Sequence, residues 1–262
     1  MPPQSFYVAD GDAFRSTELT RGPWSAEHQH AGPPAALLAR ALERAVPAEL
    51  AVTRVTVEIL RPIPLAPLRV ATQPLRAGRK VQWHGADLLA ADGALLARAH
   101  AVAIRTAALP LPVHGDPVAD PVRPPAASDA FQFSFFAWPM GYHIGMEGRL
   151  ARGTVGKGPV AMWMRMRLPL LEGEAPSPLQ RVMIAADSGN GVSYVLDPRR
   201  HTFVNPDLTV YVHRPPAGEW VCLDARTIPQ ERGIGLADTR LLDEQGPIGR
   251  SVQSLVIDAR GP

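Results

Sequence analysis

The chain has 262 residues, of which 46% are apolar and 20% charged, and its formal net charge is +2. This composition is typical of a soluble globular protein of one or two domains, and no apolar stretch approaches the roughly 20 residues that cross a bilayer. The sequence lacks a Lys/Arg run, which disfavours a nucleic-acid partner, and its single cysteine, Cys222, excludes an internal disulfide. We therefore expect a cytoplasmic protein with neither a membrane nor a nucleic-acid partner.

The first half of the chain predicts one buried helix followed by a sheet. Gly32 and the Pro33-Pro34 pair mark the start of a helix that is apolar on nearly every side through Glu43. Four strands are predicted after it: Val52–Leu60, Leu68–Leu75, Lys80–Leu89 and Leu95–Arg105. A sheet curled around the helix would cover all of the helix's faces, so we expect that arrangement.

The second half follows a segment rich in Pro and small residues, 109–129, which we interpret as a linker. The predicted units are therefore residues 1–108 and 130–262. In the second unit the pattern predicts the strands Phe131–Phe136, Met162–Arg167 and Gly249–Ile257 and the helix Pro178–Asp187. An extra loop rich in Gly, Asn and Ser, 188–205, follows the helix.

The two halves share a repeated heptapeptide. Thr56–Pro62 and Thr209–Pro215 both have the pattern Thr-Val-x-[Ile/Val]-x-Arg-Pro, at a shift of 153 positions. The same shift relates Leu88-Leu89 to Leu241-Leu242 and Arg79 to Arg232. A shift that recurs at separate landmarks predicts a tandem duplication of a unit of roughly 110 to 130 residues, which is a plausible size for a domain.

Polar residues that could carry chemistry are concentrated in the second half. Asp187 ends a helix that should lie against the sheet, where a carboxylate is costly without partners and opposes the helix dipole. Gln253 occupies a position in the final strand that is Ala in the first half, and a buried amide there needs hydrogen-bond partners. Asn205 and Thr209 flank Asp207 at the start of the repeated strand. The alternatives are a solvated helix end, a surface amide and ordinary turn formers.

The loop before the first helix contains His28, His30 and Gly32. Two His side chains without further ligands at a suitable spacing do not predict a zinc site. Free N–H groups at Gly32 could stabilise an oxyanion, although a glycine needed only for the turn is equally consistent. The sequence has no Gly-x-Ser-x-Gly, phosphate-loop or Gly-x-Gly-x-x-Gly motif, which disfavours a serine hydrolase, a P-loop nucleotidase and a Rossmann dehydrogenase.

These landmarks resemble those of the thioesterase-like superfamily, specifically the acyl-CoA thioesterase II (TesB-type) proteins of the double-hotdog fold. The matching features are the Gly-led helix, the repeated Arg-Pro strand, Ala186-Asp187, Asp207 with His213-Arg214-Pro215, and Ser251-Val252-Gln253. The resemblance spans nearly the whole chain. It implies an α+β fold in which each half is a long helix wrapped by an antiparallel sheet, with the two halves side by side.

The resemblance also implies an enzyme that hydrolyses a fatty acyl-CoA with a water held by an Asp, a hydroxyl and a Gln. By motif position these residues are Asp187 and Gln253, whereas the hydroxyl position falls on Asn205, with Thr209 as the next hydroxyl along the chain. Gly32 and His30 would bind substrate. No metal or cofactor is implied beyond the coenzyme A of the substrate, and assembly into a homo-oligomer is consistent with the fold.

Two other functions fit the same fold, because fold alone does not determine function. Because Asn205 occupies the position of the family's hydroxyl residue, the protein could bind acyl groups without hydrolysing them. A dehydratase would need a His beside the acid, and the candidates are His28, His30, His143 and His201. Arg199 and Arg200 of the extra loop are candidates for binding the phosphates of coenzyme A.

Overall fold

A computed structural model describes residues 2–110, 121–134 and 136–260, so about half of the predicted linker lies outside the described residues. The division of the chain at residues 108 and 130 stays a prediction. Within the described ranges, no helix is long and apolar enough to cross a membrane.

The first half contains one central helix and six strands. Its elements are β1 (Tyr7–Asp10), β2 (Ala13–Ser16), α1 (Gly32–Ala45), β3 (Leu50–Ile59), β4 (Pro67–Ala77), β5 (Val81–Ala90) and β6 (Leu95–Arg105). The helix and the four long strands agree with the sequence predictions to within a few residues at their ends. The pattern does not predict β1 and β2, because strands of four residues carry little periodicity.

The second half has the same order of elements with additions. They are β7 (Asp129–Phe131), α2 (Tyr142–Gly145), β8 (Met146–Arg152), β9 (Val160–Met166), α3 (Pro178–Ala186), α4 (Gly189–Ser193), β10 (His201–Val204), β11 (Asp207–Val212), β12 (Val221–Gln230), β13 (Ile234–Asp243) and β14 (Gly246–Ala259). The predicted helix is α3, whose C-cap is Asp187.

The strands form one 14-stranded sheet in which the two halves meet at β3 and β11. In this antiparallel pair Thr56 faces Thr209, which is the same position of the repeated heptapeptide in each half. The order β6, β5, β4, β2, β1 runs outward from β3, and the order β14, β13, β12, β9, β8 runs outward from β11. This pairing places an approximate twofold axis between the copies and confirms the double-hotdog fold.

The two longest helices, α1 and α3, pack against each other antiparallel. Gly32 at the start of α1 approaches Ile184 near the end of α3, while Glu43 near the end of α1 accepts a hydrogen bond of 2.6 Å from Ser177, the N-cap of α3. A Cβ at Gly32 would lie 2.5 Å from the Ile184 carbonyl oxygen, so the close approach requires glycine. Fully buried residues such as Leu37 explain the apolar pattern of α1, since each stabilises the fold by about 1.5–3 kcal/mol.

The predicted aromatic strand Phe131–Phe136 is wrong, because β7 ends at Phe131. Phe133 is buried, and its ring packs edge-on against that of Phe131 with centroids 5.2 Å apart. Burial of its ring, rather than strand pairing, therefore accounts for Phe133 in this apolar run. Periodicity alone does not distinguish these two origins in a short segment.

The segment 188–205, predicted as an extra loop, contains α4 and β10 instead. Strand β10 pairs with β14 and extends the sheet. Gly189 lets α4 lie directly against β13, since a Cβ there would be 2.6 Å from the Thr239 hydroxyl oxygen. The additional residues of the second half thus form ordered elements that build one side of a cavity.

Candidate active site

A cavity of about 380 Å³ lies between the two halves, beside the start of α1. The loop 22–31, the end of β3, the turn between α3 and α4 and the end of β10 form its walls. The apolar part of the wall includes Trp24, Ile59, Ile63 and Phe203. A cavity of this size, with an apolar lining and a few polar groups, is typical of small-molecule sites.

The buried carboxylate of Asp187 lies on the wall of this cavity and has three side-chain partners. Its Oδ1 accepts hydrogen bonds from Asn205 Nδ2 at 2.9 Å and from Gln253 Nε2 at 3.3 Å. Its Oδ2 lies 3.0 Å from Nδ1 of His30. The structure therefore brings together four of the residues singled out in the sequence, one from the first half and three from the second.

Gln253 holds the carboxylate in place rather than facing the cavity. Its Nε2 also donates to the Asp187 carbonyl oxygen at 3.1 Å, and its Oε1 accepts from the Asn190 N–H at 3.2 Å. The side chain is buried under α4, and Gln253 is not among the cavity-lining residues. The amide is thus fully engaged by protein groups, which fixes the orientation of the carboxylate.

Asn205 lines the cavity and donates to two acceptors. Besides Asp187, its Nδ2 group lies 3.2 Å from the Asp207 carbonyl oxygen. An amide N–H stabilises an ionised carboxylate, but it does not exchange a proton as a hydroxyl or an imidazole does. Asn205 therefore acts as a donor to Asp187, and proton transfer requires another group.

His30 is the neighbour of Asp187 that can transfer a proton. Its Nδ1 lies 3.0 Å from Asp187 Oδ2 and 3.1 Å from the Gly32 N–H, and a single nitrogen cannot both donate to one and accept from the other. Donation to an ionised carboxylate is the stronger interaction, so we assign the proton to Nδ1. The unprotonated Nε2 then lies on the opposite side of the ring and can accept a proton.

Tyr142 fixes the plane of the His30 ring, and the sequence gives no signal for it. The two rings are stacked with centroids 3.8 Å apart and an interplanar angle of 1°. The Tyr142 hydroxyl donates to the Ile184 carbonyl oxygen at 2.8 Å and lies 2.9 Å from Ser188 Oγ, and burial raises the pKa of this phenol. Tyr142 belongs to the four-residue helix α2, which is too short to show a period.

Two of the predicted site residues do not line the cavity. The Thr209 hydroxyl donates to Thr56 Oγ1 at 3.2 Å across the junction of the two halves, and Thr209 does not line the cavity. Gly32 is not part of the cavity wall either, and its N–H points at His30. Its closeness to Ile184 supports the structural interpretation of this glycine over an oxyanion site.

The remaining histidines and arginines have different surroundings. The His143 ring is tilted by 31° relative to the Phe136 ring with centroids 4.4 Å apart, and burial lowers the pKa of His143. His28 lines the cavity, but His30 is the histidine that pairs with Asp187.

Arg199 pairs with Asp197 at 3.1 Å on the surface rather than at the cavity. In the part of the chain that the structure describes, no group of three or more His, Cys, Asp and Glu residues could hold a metal ion.

Among the described residues, the arginine of the repeated Arg-Pro motif has a buried acid as its partner in the second half only. Arg214 makes a two-pronged ion pair with the buried Asp243, with both contacts at 2.6 Å. The shift of 153 relates Asp243 to Ala90, so the counterpart Arg61 lacks that acid. Arg61 instead lines the cavity.

The sheet topology and the helix pair define a double-hotdog protein. The buried carboxylate of Asp187 lies on the wall of a cavity between its two halves. Residues 20–107 match the family model of the acyl-CoA thioesterase N-terminal domain, and residues 112–257 match that of the acyl-CoA thioesterase C-terminal domain. The chain therefore belongs to the acyl-CoA thioesterase family. A comparison with curated proteins finds no match.

Solved structures share this fold over nearly the full length of the chain. A conserved protein of unknown function with a hot dog fold from Alicyclobacillus acidocaldarius has a TM-score of 0.74 at 20% identity, covering 98% of this chain and 96% of its own. The tesB protein of Mycobacterium avium subs paratuberculosis has a TM-score of 0.67 at 18% identity, covering 96% and 95%. Acyl-CoA thioesterase II TesB2 of Mycobacterium marinum has a TM-score of 0.67 at 15% identity, covering 97% and 93%.

Proposed function

We propose that the protein hydrolyses the thioester bond of an acyl-CoA in the cavity beside Asp187. The observation that carries this proposal is the contact of 3.0 Å between the buried Asp187 carboxylate and His30 on the wall of an apolar cavity. Such a pair can activate water next to a bound acyl group. Membership of the acyl-CoA thioesterase family supports a substrate of this class.

In the proposed mechanism, Nε2 of His30 accepts a proton from water as the water oxygen attacks the thioester carbonyl carbon. The resulting tetrahedral intermediate collapses with cleavage of the carbon–sulfur bond, and the imidazolium returns its proton to the departing thiolate. The products are a carboxylic acid and free coenzyme A. Asp187 holds the His30 tautomer and stabilises the imidazolium, while Asn205 and Gln253 hold Asp187.

The walls of the cavity support an acyl group as the buried part of the substrate. Trp24 packs edge-on against Phe203 with centroids 5.2 Å apart, and both line the cavity. Arg61 has no acid partner within the described ranges, so its guanidinium is suited to bind a phosphate of coenzyme A. We propose no cofactor, since coenzyme A enters as part of the substrate.

Release of free thiol from a panel of acyl-CoAs, from acetyl to palmitoyl, tests this function. We expect turnover of at least one chain length and a loss of kcat/KM of about 10²-fold or more in Asp187→Asn, because the variant removes the negative charge that stabilises the imidazolium. The exposed Asp258 of β14 provides a matched control, and Asp258→Asn should retain activity. Absence of thiol release for every chain length would overturn the proposal.

A second candidate function is hydration or dehydration of an acyl thioester. The His30–Asp187 contact favours it, because a dehydratase needs a base and an acid beside the carbon next to the carbonyl group. Loss of the enoyl absorbance of crotonyl-CoA without release of thiol would select this reaction. Release of thiol without loss of crotonyl-CoA by hydration would select hydrolysis.

A further inference from the structure

A second cavity of about 430 Å³ lies at the opposite end of the antiparallel helix pair. The end of α1, the start of α3, the start of β3 and the end of β11 form its walls. Most of its lining is apolar, as in the first cavity. In the part of the chain that the structure describes, the second cavity shares no lining residue with the first.

The lining of the two cavities corresponds residue by residue through the internal duplication. Residues 203–206 and 59–63 line the first cavity, and at the shift of 153 they correspond to residues 50–53 and 212–216. All of the latter residues line the second cavity. The two sites are therefore related by the approximate twofold axis between β3 and β11.

The helices α1 and α3 are also related by the internal duplication, although at a different shift from the strands. Alignment of Pro34 with Pro178 shifts the helices by 144 positions and places Glu43 on Asp187. Glu43 lines the second cavity and Asp187 the first. Each cavity thus has one carboxyl group at the C-terminal end of its helix.

The groups that support chemistry at Asp187 are missing around Glu43. At the shift of 153, Asn205 corresponds to Val52, and the strand registers place Ala101 opposite His84 where Gln253 is opposite Ala237. At the helix shift of 144, His30 corresponds to Glu174. The position of the base is thus taken by an acid, Glu174, which pairs with Arg40 at 2.7 Å and does not line the second cavity.

Glu43 itself is held by the other helix. Its Oε2 lies 2.6 Å from the Ser177 hydroxyl. Burial raises the pKa of Glu43, and the nearby charge of Glu174 acts in the same direction. His213 also lines the second cavity, but within the described residues it makes no hydrogen bond or ion pair with Glu43, so this carboxyl group lacks a partner of the kind that His30 provides to Asp187.

We propose that the second cavity binds an acyl chain without hydrolysing it, which gives each polypeptide one hydrolytic and one non-hydrolytic acyl site. This inference rests on the proposed function, since the first cavity defines the ligand class. Arg105 lines the second cavity, and its side chain makes no hydrogen bond or ion pair within the described ranges. It supplies a cation for an anionic head group, which is either the carboxylate of a free fatty acid or a phosphate of coenzyme A.

Counting bound ligands tests the inference directly on the wild-type protein. Isothermal titration calorimetry with the thioether analogue of octanoyl-CoA, in which a methylene replaces the carbonyl group, should give two equivalents per chain. A parallel titration with octanoate distinguishes the sources of the acyl chain. Binding of octanoate in the second cavity identifies a site for the product. Binding of the analogue but not of octanoate identifies a site for the thioester.

A matched pair of variants assigns each equivalent to its cavity. Ala51 and Val204 are counterparts at the shift of 153, and each lines its own cavity. Ala51→Trp should weaken one equivalent at least tenfold, while Val204→Trp should weaken the other and reduce thiol release. Arg105→Gln, an exposed change that spares the core, should weaken the same equivalent as Ala51→Trp.

The outcomes separate the two proposals. A single equivalent on wild-type protein that Val204→Trp removes, together with normal thiol release, would overturn the second site and leave the hydrolase standing. Two equivalents without any thiol release would overturn the hydrolase and leave a two-site acyl-binding protein. No binding and no thiol release would overturn both.

Discussion

The chemistry of the site depends on one carboxylate, Asp187, whose two oxygens have different neighbours. Oδ1 accepts from the amides of Asn205 and Gln253, which cannot transfer a proton, whereas Oδ2 faces His30. The division assigns a positioning task to one side of the carboxylate and a proton-transfer task to the other. His30 is therefore the residue whose removal should be most informative.

The substitution His30→Ala should reduce kcat/KM for thioester hydrolysis by about 10²-fold or more, because it removes the base that accepts the proton of water. Added imidazole should restore part of the activity, since a small molecule can occupy the space over the Tyr142 ring. Thiol release measured with and without imidazole checks this result.

His28→Ala serves as the control, because His28 lines the cavity but makes no hydrogen bond or ion pair with Asp187. Imidazole should leave the rate of that variant unchanged. Full activity of His30→Ala, or failure of imidazole to raise it, would contradict the role of His30 as the base.

At the scale of elements, the site is held by the contact between the start of α1 and the end of α3. The Ile184 carbonyl oxygen meets both the Gly32 backbone and the Tyr142 hydroxyl, and Asp187 follows three residues later. A small displacement of α3 would therefore move the carboxylate away from His30.

Gly32→Ala should destabilise the protein by about 1–3 kcal/mol, because the added Cβ would lie 2.5 Å from a backbone oxygen that cannot rotate away. It should also lower thiol release by separating His30 from Asp187. Denaturant unfolding and the thiol assay measure the two effects. Gly85→Ala in β5 is the matched control, since its Cβ would meet only side chains at 3.5 Å or more. Equal stability of the two variants would contradict the proposed close packing.

The elements also show the limits of prediction from pattern. The buried helix α1 and the long strands follow from apolar periodicity, which depends on neighbours a few residues apart. The helix α4 and the strand β10 do not, because Gly189 and Asn190 are typical of turns and adopt a helix only against β13 and β14. Tyr142 likewise holds the His30 ring through contacts with residues that are far from it in the sequence.

At the scale of the whole molecule, ion pairs across the sheet and between α1 and the segment before α3 make stability depend on pH. Hydrogen bonds from arginines are the largest cause that lowers the pKa of three carboxylates: Asp87 with Arg98, Glu174 with Arg40, and Asp238 with Arg250. A carboxylate with a lowered folded-state pKa contributes stability above its unfolded pKa of about 4 and loses that contribution as the pH falls through the folded value.

We therefore expect Tm to fall by at least about 5 °C between about pH 7 and about pH 3. Thermal unfolding followed by circular dichroism measures the change. In Asp238→Asn the fall should be smaller, because one of the three carboxylates no longer titrates. An unchanged Tm at acid pH would show that these pairs contribute nothing to stability.

The sequence by itself determined the duplication, the central helix of each half and the concentration of polar residues in the second half. These features depend on residue identity and on spacing along the chain, so they can be identified without a structure. Asp187, Gln253, Asn205 and His30 were also identified from the sequence as candidates for the site.

Only the tertiary structure decided which of these candidates meet and what each one contacts. It placed His30 of the first half against Asp187 of the second, bonded Thr209 to Thr56, and located Glu43 on the wall of a second cavity. The physical reason is that antiparallel pairing of β3 with β11 and of α1 with α3 joins residues more than a hundred positions apart. Hydrogen bonds over such separations depend on three-dimensional packing, which local sequence patterns do not encode.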